Sequence, residues 1–296
     1  MKYYLGIDGG GTRTTAAVSD ENGNILFKEC GKTINFYSVG MDKARNNLNE
    51  LLKSVCSRID SDFFEAVFVG CSALDNEADS KTLNALCGGI KAEKIAMNSD
   101  LYIALKSVKS DVCPCVAICG TGSMATGEDE NGNTIIAGGW GHIIGDEGSG
   151  YAIAVNALKK CCELCDKGET SPLLDKANEF FKVDNFRKAI DFIYSADTTK
   201  DIIADFAKDV GKLAESDEIA HKIITNEAHS FAKTVLILLR EVKKCTVLGL
   251  YGGIFVHNPL FRKTFEADIT AEFPDVMLQL LDTPPEEGAL ELARNL

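Results

Sequence analysis

The sequence predicts an α/β fold that contains two halves of related architecture. Short apolar segments typical of strands alternate with helical segments between residues 42 and 108, an order typical of layered sheets with parallel pairing. Two apolar strands, which begin near Tyr3 and at Cys115, each run into a glycine loop and a second strand. Each second strand then meets the same five residues, DENGN, at 20–24 and at 129–133. This shared order predicts an internal structural repeat.

The first half is predicted to begin with a strand at 3–8, followed by strands at 14–20 and 25–30 that are joined by an Asn-Gly turn. The spacing of the apolar residues assigns the elements that follow. Helices are predicted at 42–59, 79–87 and 101–108, and strands at 65–73 and 94–100.

A polar, proline-bearing change of composition at 109–114 predicts a domain boundary before the second half. Beyond the second glycine hairpin and a glycine-rich loop, the chain is predicted to be mostly helical. Helices are predicted at 151–165, 171–182, 184–194, 200–214, 217–243, 259–273 and 285–296, with strands at 246–254 and 276–281.

The net charge and the lengths of the apolar segments limit the classes of protein to which this chain can belong. The chain has 296 residues and a formal net charge of -13 at pH 7. Nucleic acid and anionic membranes bind basic surfaces, so neither is expected as the main partner. The longest apolar runs are too short to span a bilayer, and the N-terminus lacks the apolar core and cleavage site of a signal peptide. We therefore expect a cytoplasmic protein.

The chain has 11 cysteines, an odd number without an export signal, so we expect reduced thiols. Two clusters, Cys113 with Cys115 and Cys161 with Cys162 and Cys165, are compatible with a metal or iron–sulfur site. Neither cluster has a partner pair at zinc-ligand spacing. Small apolar filling of the core is the alternative, since free cysteine is among the most buried residue types.

The segment DGGGT, at 8–12, follows the first predicted strand and offers backbone N–H groups to phosphate oxygens. Thr12 and Thr14 add hydroxyls, and Asp8 at the strand end is placed to hold Mg²⁺. No Gly-Lys-Ser/Thr follows, and the next element is a strand, so this is neither a Walker loop nor a dinucleotide fingerprint. A plain glycine-rich hairpin turn is the alternative.

A second glycine hairpin, at 120–123, favours phosphate binding over a plain turn as the interpretation of the first hairpin. Two such hairpins facing each other would hold the β and γ phosphates of a nucleotide from both sides. Gly252 and Gly253, after a predicted strand and before a helix, suit close contact with a nucleoside.

The segment GGWGHIIGDEGSG, at 138–150, combines six glycines with two adjacent acids, a histidine and the only tryptophan of the chain. Glycine at this density is kept where the backbone approaches a ligand or turns sharply. A helix follows, so the segment lies near a helix N-terminus, which favours an anion or a hydroxyl-rich ligand. A structural loop capped by Asp146 is the alternative.

The motifs DGGGTRT, GTGS, GGWGHIIGDEGSG, LYGGIF and PPEEGAL resemble those of the actin, heat-shock chaperone and sugar-kinase superfamily of ATPases. Within it, the chain is most similar to the N-acetylglucosamine kinase family of the BadF/BadG/BcrA/BcrD ATPase group, and the resemblance covers nearly the whole chain. It implies two ribonuclease-H-like (actin-like ATPase) domains, over 1–112 and 113–296, with a ligand cleft between them. The second would carry extra helices, and the last helix would pack back on the first.

The resemblance also implies roles for individual residues. Asp100, after a short strand, matches the catalytic base, and Asn35 matches a sugar ligand. The other implied sugar-binding residues are Ser123, Gly138, Gly139 and Asp146. With the residues derived above, the nucleotide set becomes Gly10, Gly11, Thr12, Arg13, Thr121, Gly122, Gly252 and Gly253, with Asp8 as the ligand of Mg²⁺.

Several of these residues have a structural alternative. Asp100 could be the N-cap of the helix that follows it, and Asn35 could be a turn residue. His142 is interpreted as a core or loop-stabilising residue. Glu147 could bridge to a sugar hydroxyl, but we favour a cap of the helix after the loop.

The function that the resemblance implies is an ATP- and Mg²⁺-dependent kinase of an amino sugar, acting as a homodimer. N-acetylglucosamine, N-acetylmuramic acid and glucosamine stay open as substrates, and so does the hydroxyl that is phosphorylated. The alternative is an ATPase activator of an iron–sulfur dehydratase or reductase, which Cys113, Cys115 and Cys119 keep open. A sugar-sensing regulator has less support, because no helix-turn-helix extension or basic patch is present.

Overall fold

The computed structural model describes residues 1–74, 76–108, 110 and 112–296. They form two compact units, the first made of 1–107 with 283–296 and the second of 108–282. The predicted boundary region 109–114 includes Lys109 and Asp111, which lie outside the described residues.

The first unit contains a five-stranded mixed sheet. Its strands are β1 (Tyr4–Gly9), β2 (Arg13–Ser19), β3 (Ile25–Lys32), β4 (Phe63–Cys71) and β5 (Lys91–Asn98). The order is β3-β2-β1-β4-β5, with β1 antiparallel to β2 and parallel to β4, and β4 parallel to β5. Parallel pairing brings the carboxyl ends of β1, β4 and β5 to one edge, where α/β folds bind their ligands.

The helices of the first unit follow these strands. They are α1 (Phe36–Val39), α2 (Met41–Ile59), α3 (Ser80–Cys87), α4 (Asp100–Lys106) and, from the C-terminus, α12 (Pro285–Arg294). Helix α12 packs on β1 at Gly6, where a Cβ atom would lie 2.1 Å from the backbone nitrogen of Leu290. Only glycine leaves room for so close an approach between a helix and a strand.

The second unit repeats the same sheet. Its strands are β6 (Cys115–Cys119), β7 (Ser123–Glu128), β8 (Thr134–Gly138), β9 (Val247–Tyr251) and β10 (Met277–Leu281). The order β8-β7-β6-β9-β10 matches that of the first sheet strand for strand, with two antiparallel hairpins and then two parallel neighbours. The predicted α/β class and internal repeat are confirmed.

The helices of the second unit lie mostly between β8 and β9. They are α5 (Gly150–Lys167), α6 (Pro172–Phe181), α7 (Ala189–Ile193), α8 (Lys200–Leu213), α9 (Glu218–Val242), α10 (Gly253–His257) and α11 (Pro259–Glu272). The apolar faces of these helices bury one large cluster together with the strand residues Ala117, Leu248 and Leu250. This inserted helical layer is the extra helical region that the sequence predicts.

The two DENGN segments adopt the same turn. In the first, the Asp20 carboxylate accepts hydrogen bonds from the backbone nitrogens of Asn22 and Asn24, both at 2.9 Å. In the second, Asp129 accepts from those of Asn131 and Asn133, both at 2.8 Å. The side-chain amides of Asn24 and Asn133 also donate to Asp20 and Asp129, at 2.9 Å and 3.0 Å. These amide bonds first, and the backbone bonds after them, hold the pKa of both aspartates below its ordinary value. The repeated sequence word therefore encodes a repeated Asx-type hairpin turn.

Most predicted elements agree with the structure to within a few residues at each end. The segment 184–194, predicted as one helix, is instead a 3-10 turn (Phe186–Lys188) followed by α7. The predicted strand 246–254 ends at Tyr251, because Gly252 has φ of +111° and leaves the extended conformation. In the part of the chain that the structure describes, no helix is both long and apolar enough to cross a membrane.

Candidate functional site

The first glycine loop, Gly10 to Thr12, joins β1 and β2 at the carboxyl edge of the first sheet. Gly11, Thr12 and Arg13 are exposed, and apart from Gly11 and its two chain neighbours no described heavy atom lies within 4 Å of the position that a Cβ on Gly11 would take. The loop can therefore present its backbone to a ligand. Thr14, predicted to add a hydroxyl, is instead fully buried and accepts a hydrogen bond from the Ile34 nitrogen at 3.1 Å.

Asp8 lies one residue before the end of β1 and is partly buried. Burial raises its pKa to about 7, with further increases from the negative charges of Asp100 and Glu286 and a decrease from Arg13. The strand ends of the first unit thus bring the carboxylates predicted to hold Mg²⁺ and to act as base close enough to repel each other. Excess negative charge of this kind attracts a cation.

Asp100 is the first residue of α4, two residues beyond the end of β5. The N-cap of α4 is Ser99, whose hydroxyl accepts a hydrogen bond from the Tyr102 nitrogen at 3.1 Å. The alternative that Asp100 is the cap is therefore wrong. Burial raises the pKa of Asp100, while its own N–H and that of Leu101 lower it.

Asn35 is both a structural residue and a site candidate. Its side-chain oxygen accepts from the Ser38 nitrogen at 3.0 Å and caps α1, which agrees with the turn alternative. Its amide nitrogen donates to the Ser72 hydroxyl at 3.0 Å, and the Ser72 nitrogen donates to the Gly9 carbonyl at 2.9 Å. Ser72, which sequence reasoning missed, thus links Asn35 to the strand end that carries Asp8.

The second glycine loop, Gly120 to Gly122, joins β6 and β7 and is tied to helix α5. The Gly150 nitrogen donates to the Gly120 carbonyl at 2.8 Å, and the Tyr151 nitrogen donates to the Thr121 carbonyl at 3.2 Å. Ser123 is buried, and its hydroxyl donates to the Glu147 carbonyl at 2.7 Å. The structure therefore brings the predicted residues Thr121, Gly122 and Ser123 against the loop 138–150.

Asp146 is the acid of that loop which lies closest to the hairpin. It is buried, adopts the left-handed backbone conformation with φ of 61°, and places Oδ2 2.8 Å from the position of a Cβ on Gly122. Burial raises its pKa, whereas the charge of Lys200 and the N–H groups of Ser123 and Gly141 lower it. Any larger residue at Gly122 would displace this carboxylate.

The remainder of the loop is open. Gly138, the last residue of β8, and Gly139, which follows it, have positive φ values of 77° and 73°. The side chains of Trp140, Ile143 and Ile144 are 75%, 84% and 77% exposed. Apolar side chains with so much exposure are typical of a binding surface.

Two predictions for single residues of the loop can be compared with the structure. The His142 ring packs edge-on against Tyr151 at 4.8 Å, as expected for a loop-stabilising residue. The N-cap of α5 is Ser149, whose hydroxyl accepts from the Ala152 nitrogen at 3.1 Å. The favoured role of Glu147 as the cap is therefore wrong, and its side chain is exposed.

Gly252 and Gly253 differ in what surrounds them. A Cβ on Gly252 would lie 2.3 Å from the Cys119 carbonyl oxygen, so internal packing and a φ of +111° both require glycine there. Gly253 is exposed, and the nearest described atom to its Cβ position is Cδ2 of His257 at 3.7 Å. Of the two residues predicted to meet a nucleoside, only Gly253 has open space.

Glu227 is a second site residue that sequence reasoning missed. It lies on the buried face of α9, and Oε2 accepts from the Gly148 nitrogen at 2.8 Å. The signal was present in the sequence, because Glu227 interrupts an apolar stripe that includes Ile224, Ala228 and Phe231.

Four cysteines of the second unit, at 113, 115, 119 and 161, belong to its core, whereas Cys162 is exposed. Cys113, Cys115 and Cys119 are buried, and the Cys119 thiol donates to the Gly148 carbonyl at 3.2 Å. Among the residues that the structure describes, no group of three or more histidine, cysteine, aspartate or glutamate side chains could hold a metal ion. Burial raises the pKa of the Cys161 thiol to about 12, which keeps it protonated.

Comparison with known proteins assigns the chain to one family and finds relatives that match it over nearly their full length. The sequence model of the BadF/BadG/BcrA/BcrD ATPase family matches residues 5–293. The chain is 28% identical to the N-acetylmuramic acid/N-acetylglucosamine kinase of Clostridium acetobutylicum, over 100% of this chain and 99% of that protein. It is 26% identical to the N-acetyl-D-glucosamine kinase of Dictyostelium discoideum, over 99% and 98%.

A solved structure gives the same fold. A Porphyromonas gingivalis protein provisionally named N-acetylglucosamine kinase superposes with a TM-score of 0.77, at 19% identity and over 99% of both chains. At this identity the likeness establishes the fold and leaves the activity to other observations.

Proposed function

Because the chain belongs to the BadF/BadG/BcrA/BcrD ATPase family, we propose that it is an ATP-dependent kinase of an N-acetylated amino sugar. Membership of the family implies the use of ATP. Two relatives that match nearly the full chain are named as kinases of N-acetylglucosamine, and one of these also as a kinase of N-acetylmuramic acid. A sugar kinase transfers the γ-phosphoryl group of ATP to a hydroxyl.

The position of Asp100 carries the proposal. It is a partly buried carboxyl group at the carboxyl edge of the parallel strands β1, β4 and β5, and the cap that α4 needs is already provided by Ser99. The carboxylate is thus available for chemistry, and its raised pKa brings it toward the range in which a general base is most effective. A partly buried acid with a raised pKa at a sheet edge is a candidate for function.

The proposed mechanism assigns one chemical task to this group. Asp100 accepts the proton of the acceptor hydroxyl while the hydroxyl oxygen attacks the γ-phosphorus of ATP. The bond between that phosphorus and the β–γ bridging oxygen breaks, and ADP leaves. Phosphoryl transfer depends mainly on positioning and on the neutralisation of charge, so the other groups of the protein bind and orient. We propose that Asn35 binds the sugar in the first unit, and that Ser123, Gly138, Gly139 and Asp146 bind it in the second.

The nucleotide residues are proposed from the two glycine hairpins. In the first unit they are the exposed loop residues Gly10, Gly11, Thr12 and Arg13. In the second unit they are Thr121 and Gly122 of the hairpin and Gly252 and Gly253 after β9. Open space at Gly11 and Gly253 supports contact with a ligand at these two positions, and the packing of Gly252 supports a role in shaping the turn.

The surroundings of Asp8 fit a magnesium ion. The pKa of about 7 reflects burial near two other acids, with only Arg13 acting in the opposite direction. A divalent cation would relieve this repulsion, and carboxylate oxygens are preferred ligands of Mg²⁺. We propose that Asp8 holds Mg²⁺, which would neutralise charge on the ATP phosphates.

Release of ADP over a panel of sugars tests the proposal. Purified protein with ATP and Mg²⁺ should release ADP with N-acetylglucosamine or N-acetylmuramic acid, and mass spectrometry should detect the sugar phosphate. Glucosamine and glucose serve as the comparison without an N-acetyl group. ADP release that is independent of every sugar, from a protein that carries iron, would instead support an electron-transfer activator.

Assembly and location complete the proposal. We propose a homodimer, following the resemblance, and sedimentation at micromolar concentration would measure it. A cytoplasmic location is proposed from the need for ATP, and the net charge of -13 disfavours nucleic acid as a partner.

A further inference from the structure

Glu227 is a buried carboxylate whose hydrogen bonds both come from neutral groups. It is 8% exposed and lies in the apolar face of α9. Oε2 accepts from the Gly148 nitrogen at 2.8 Å, and Oε1 accepts from the amide of Asn156, on α5, at 2.5 Å. Burying a charged group is unfavourable unless hydrogen bonds compensate for the water that it loses. The two hydrogen bonds of Glu227 provide this compensation.

The chemistry of the two donors explains why a carboxylate stands there. In the observed arrangement a backbone N–H and a side-chain amide both donate to Glu227, so each of its carboxylate oxygens accepts one hydrogen bond. The backbone N–H of Gly148 can only donate, so this side strictly needs an acceptor, whereas the Asn156 amide could turn and present its oxygen to a donor. Charge also makes the bond to the Gly148 N–H stronger than a neutral one.

The peptide groups around Gly148 are held on three sides. Glu227 accepts from the Gly148 nitrogen, the Cys119 thiol donates to the Gly148 carbonyl at 3.2 Å, and the Ser123 hydroxyl donates to the Glu147 carbonyl at 2.7 Å. Gly148 has φ of +79°, and its Cβ position lies 2.5 Å from Cβ of Phe231. The loop therefore rests directly on α9.

Asp146 lies two residues before this anchor. Its carbonyl accepts from the Ser149 nitrogen at 3.1 Å, so this hydrogen bond closes the turn 146–149 around Gly148. Burial raises the pKa of the Cys119 thiol most, and the negative charges of Glu227 and Asp146 raise it further. A shift of Gly148 on α9 would shift Asp146 with it.

We propose that Glu227 is a positioning residue for the kinase, which fixes segment 145–149 and thereby places Asp146 for the sugar. This inference rests on the proposed function. Loss of the Glu227–Gly148 hydrogen bond would weaken the binding of the sugar and leave the binding of ATP largely unchanged. Glu227 itself need not touch the substrate.

Steady-state kinetics of three variants test the inference. Glu227→Ala should raise the KM for the sugar at least tenfold while the KM for ATP changes less than threefold. Glu227→Gln should keep the sugar KM within about threefold of wild type, because its amide oxygen can accept from Gly148 and the Asn156 amide can turn to accept. Asn156→Ala is the matched control, since it removes the other hydrogen bond of Glu227, and it should also stay within threefold.

The outcomes separate positioning from folding. Glu227→Met keeps the length of the side chain without an acceptor and replaces Glu227→Ala if that variant fails to fold. If neither folds, Glu227 serves folding and the inference is wrong. Equal increases of the KM for sugar and ATP, or a sugar KM that does not change in Glu227→Ala, would also overturn it.

Hydrogen exchange separates this inference from the proposed function. The peptide that covers 140–150 should exchange faster in Glu227→Ala than in Asn156→Ala, with or without kinase activity. If the wild type phosphorylates no sugar and this difference is present, the loop anchor stands and the proposed function fails. If the wild type is active but exchange does not differ, the loop anchor is wrong.

Discussion

The first strands of the two sheets end in matching ways but carry different chemical groups. In the first unit β1 ends with Ile7, Asp8 and Gly9, and in the second β6 ends with Ile118 and Cys119, before Gly120. Asp8 is partly buried with a pKa raised to about 7, whereas Cys119 is fully buried and donates to the Gly148 carbonyl. The end of the first strand therefore carries an acidic group in the first unit and a neutral hydrogen-bond donor in the second.

This difference separates a position kept for chemistry from one kept for structure. A carboxylate that burial and other acids destabilise lowers the stability of the fold, so its retention points to a ligand. A thiol whose pKa is raised by burial stays protonated and can only hold the loop in place. We therefore expect substitution of the acids Asp8 and Asp100 to lower activity without destabilising the fold, and substitution of Cys119 to do the opposite.

The largest effect is expected at Asp100. Asp100→Asn should lower turnover by about two to four decades, because an amide cannot accept the proton of the sugar hydroxyl. The affinity for ATP should change little, since other residues are proposed to bind it. Turnover by ADP release and ATP affinity by calorimetry would measure the two effects.

Ser99→Ala is the control for the helix that carries this carboxylate. It removes the cap of α4 and should lower the free energy of unfolding by about 1 kcal/mol, with turnover within a few fold of wild type. If Ser99→Ala lost as much activity as Asp100→Asn, the effect would belong to the helix end, and the first unit would not differ from the second as we propose.

The next effect compares Asp8 with Cys119 directly. The pKa of Asp8 is raised from 3.8 to about 7 in the folded protein, so wild-type stability falls as the pH rises through this window. Asp8→Asn removes the charge and should stabilise the metal-free protein by about 1–3 kcal/mol at pH 8, less than the full shift implies because Asp8 is partly exposed. The gain should vanish near pH 4. Denaturant unfolding of both proteins at pH 4 and pH 8, in the presence of a chelator, would measure this difference in the free energy of unfolding.

Cys119→Ala should have the opposite sign. It deletes the hydrogen bond to Gly148 and leaves a small cavity, so it should destabilise the protein by about 1 kcal/mol at both pH values. The contrast between the two positions would fail if Asp8→Asn were destabilising at pH 8 or if its effect did not depend on pH.

The sequence was sufficient for the parts of the fold that depend on local patterns. Strand alternation, helical periodicity and the repeated DENGN word predict both sheets and the order of the helices. The N-cap residues were predicted less accurately than the elements themselves. Ser99 and Asp100 are both good capping residues, and the first residue of a helix is uncertain by one or two positions from sequence alone. The same ambiguity led to Glu147 in place of Ser149.

Contacts between residues distant in sequence could not be predicted. Asn35 meets Ser72, and Glu227 meets Gly148, only after the sheet and helices have packed. The glycine at 252 was correctly noticed, yet its reason is the Cys119 backbone 2.3 Å from its Cβ position, which a single sequence does not reveal. The composition of a loop predicts that it is special, and packing decides which of its residues remain open to a ligand.

A smaller effect on activity than that at Asp100 is expected at Asn35, which combines the two kinds of role. Asn35→Ala should raise the KM for the sugar about tenfold with a smaller change in turnover, because a hydrogen bond made equally in the ground and transition states contributes uniform binding. It should also destabilise the protein by about 1 kcal/mol, since its side chain caps α1 through the Ser38 nitrogen. Steady-state kinetics and denaturant unfolding measure the two effects separately.

Ser72→Ala is the matched control, because it removes the partner of the Asn35 amide nitrogen and leaves the cap of α1 in place. If Asn35 contacts the sugar, Ser72→Ala should change the sugar KM less than Asn35→Ala does, since the amide itself remains. Equal changes in the two variants would mean that Asn35 acts only through Ser72 and the end of β1. A normal KM with lowered turnover in Asn35→Ala would contradict uniform binding, and would place Asn35 with Asp100 among the groups that act in the transition state.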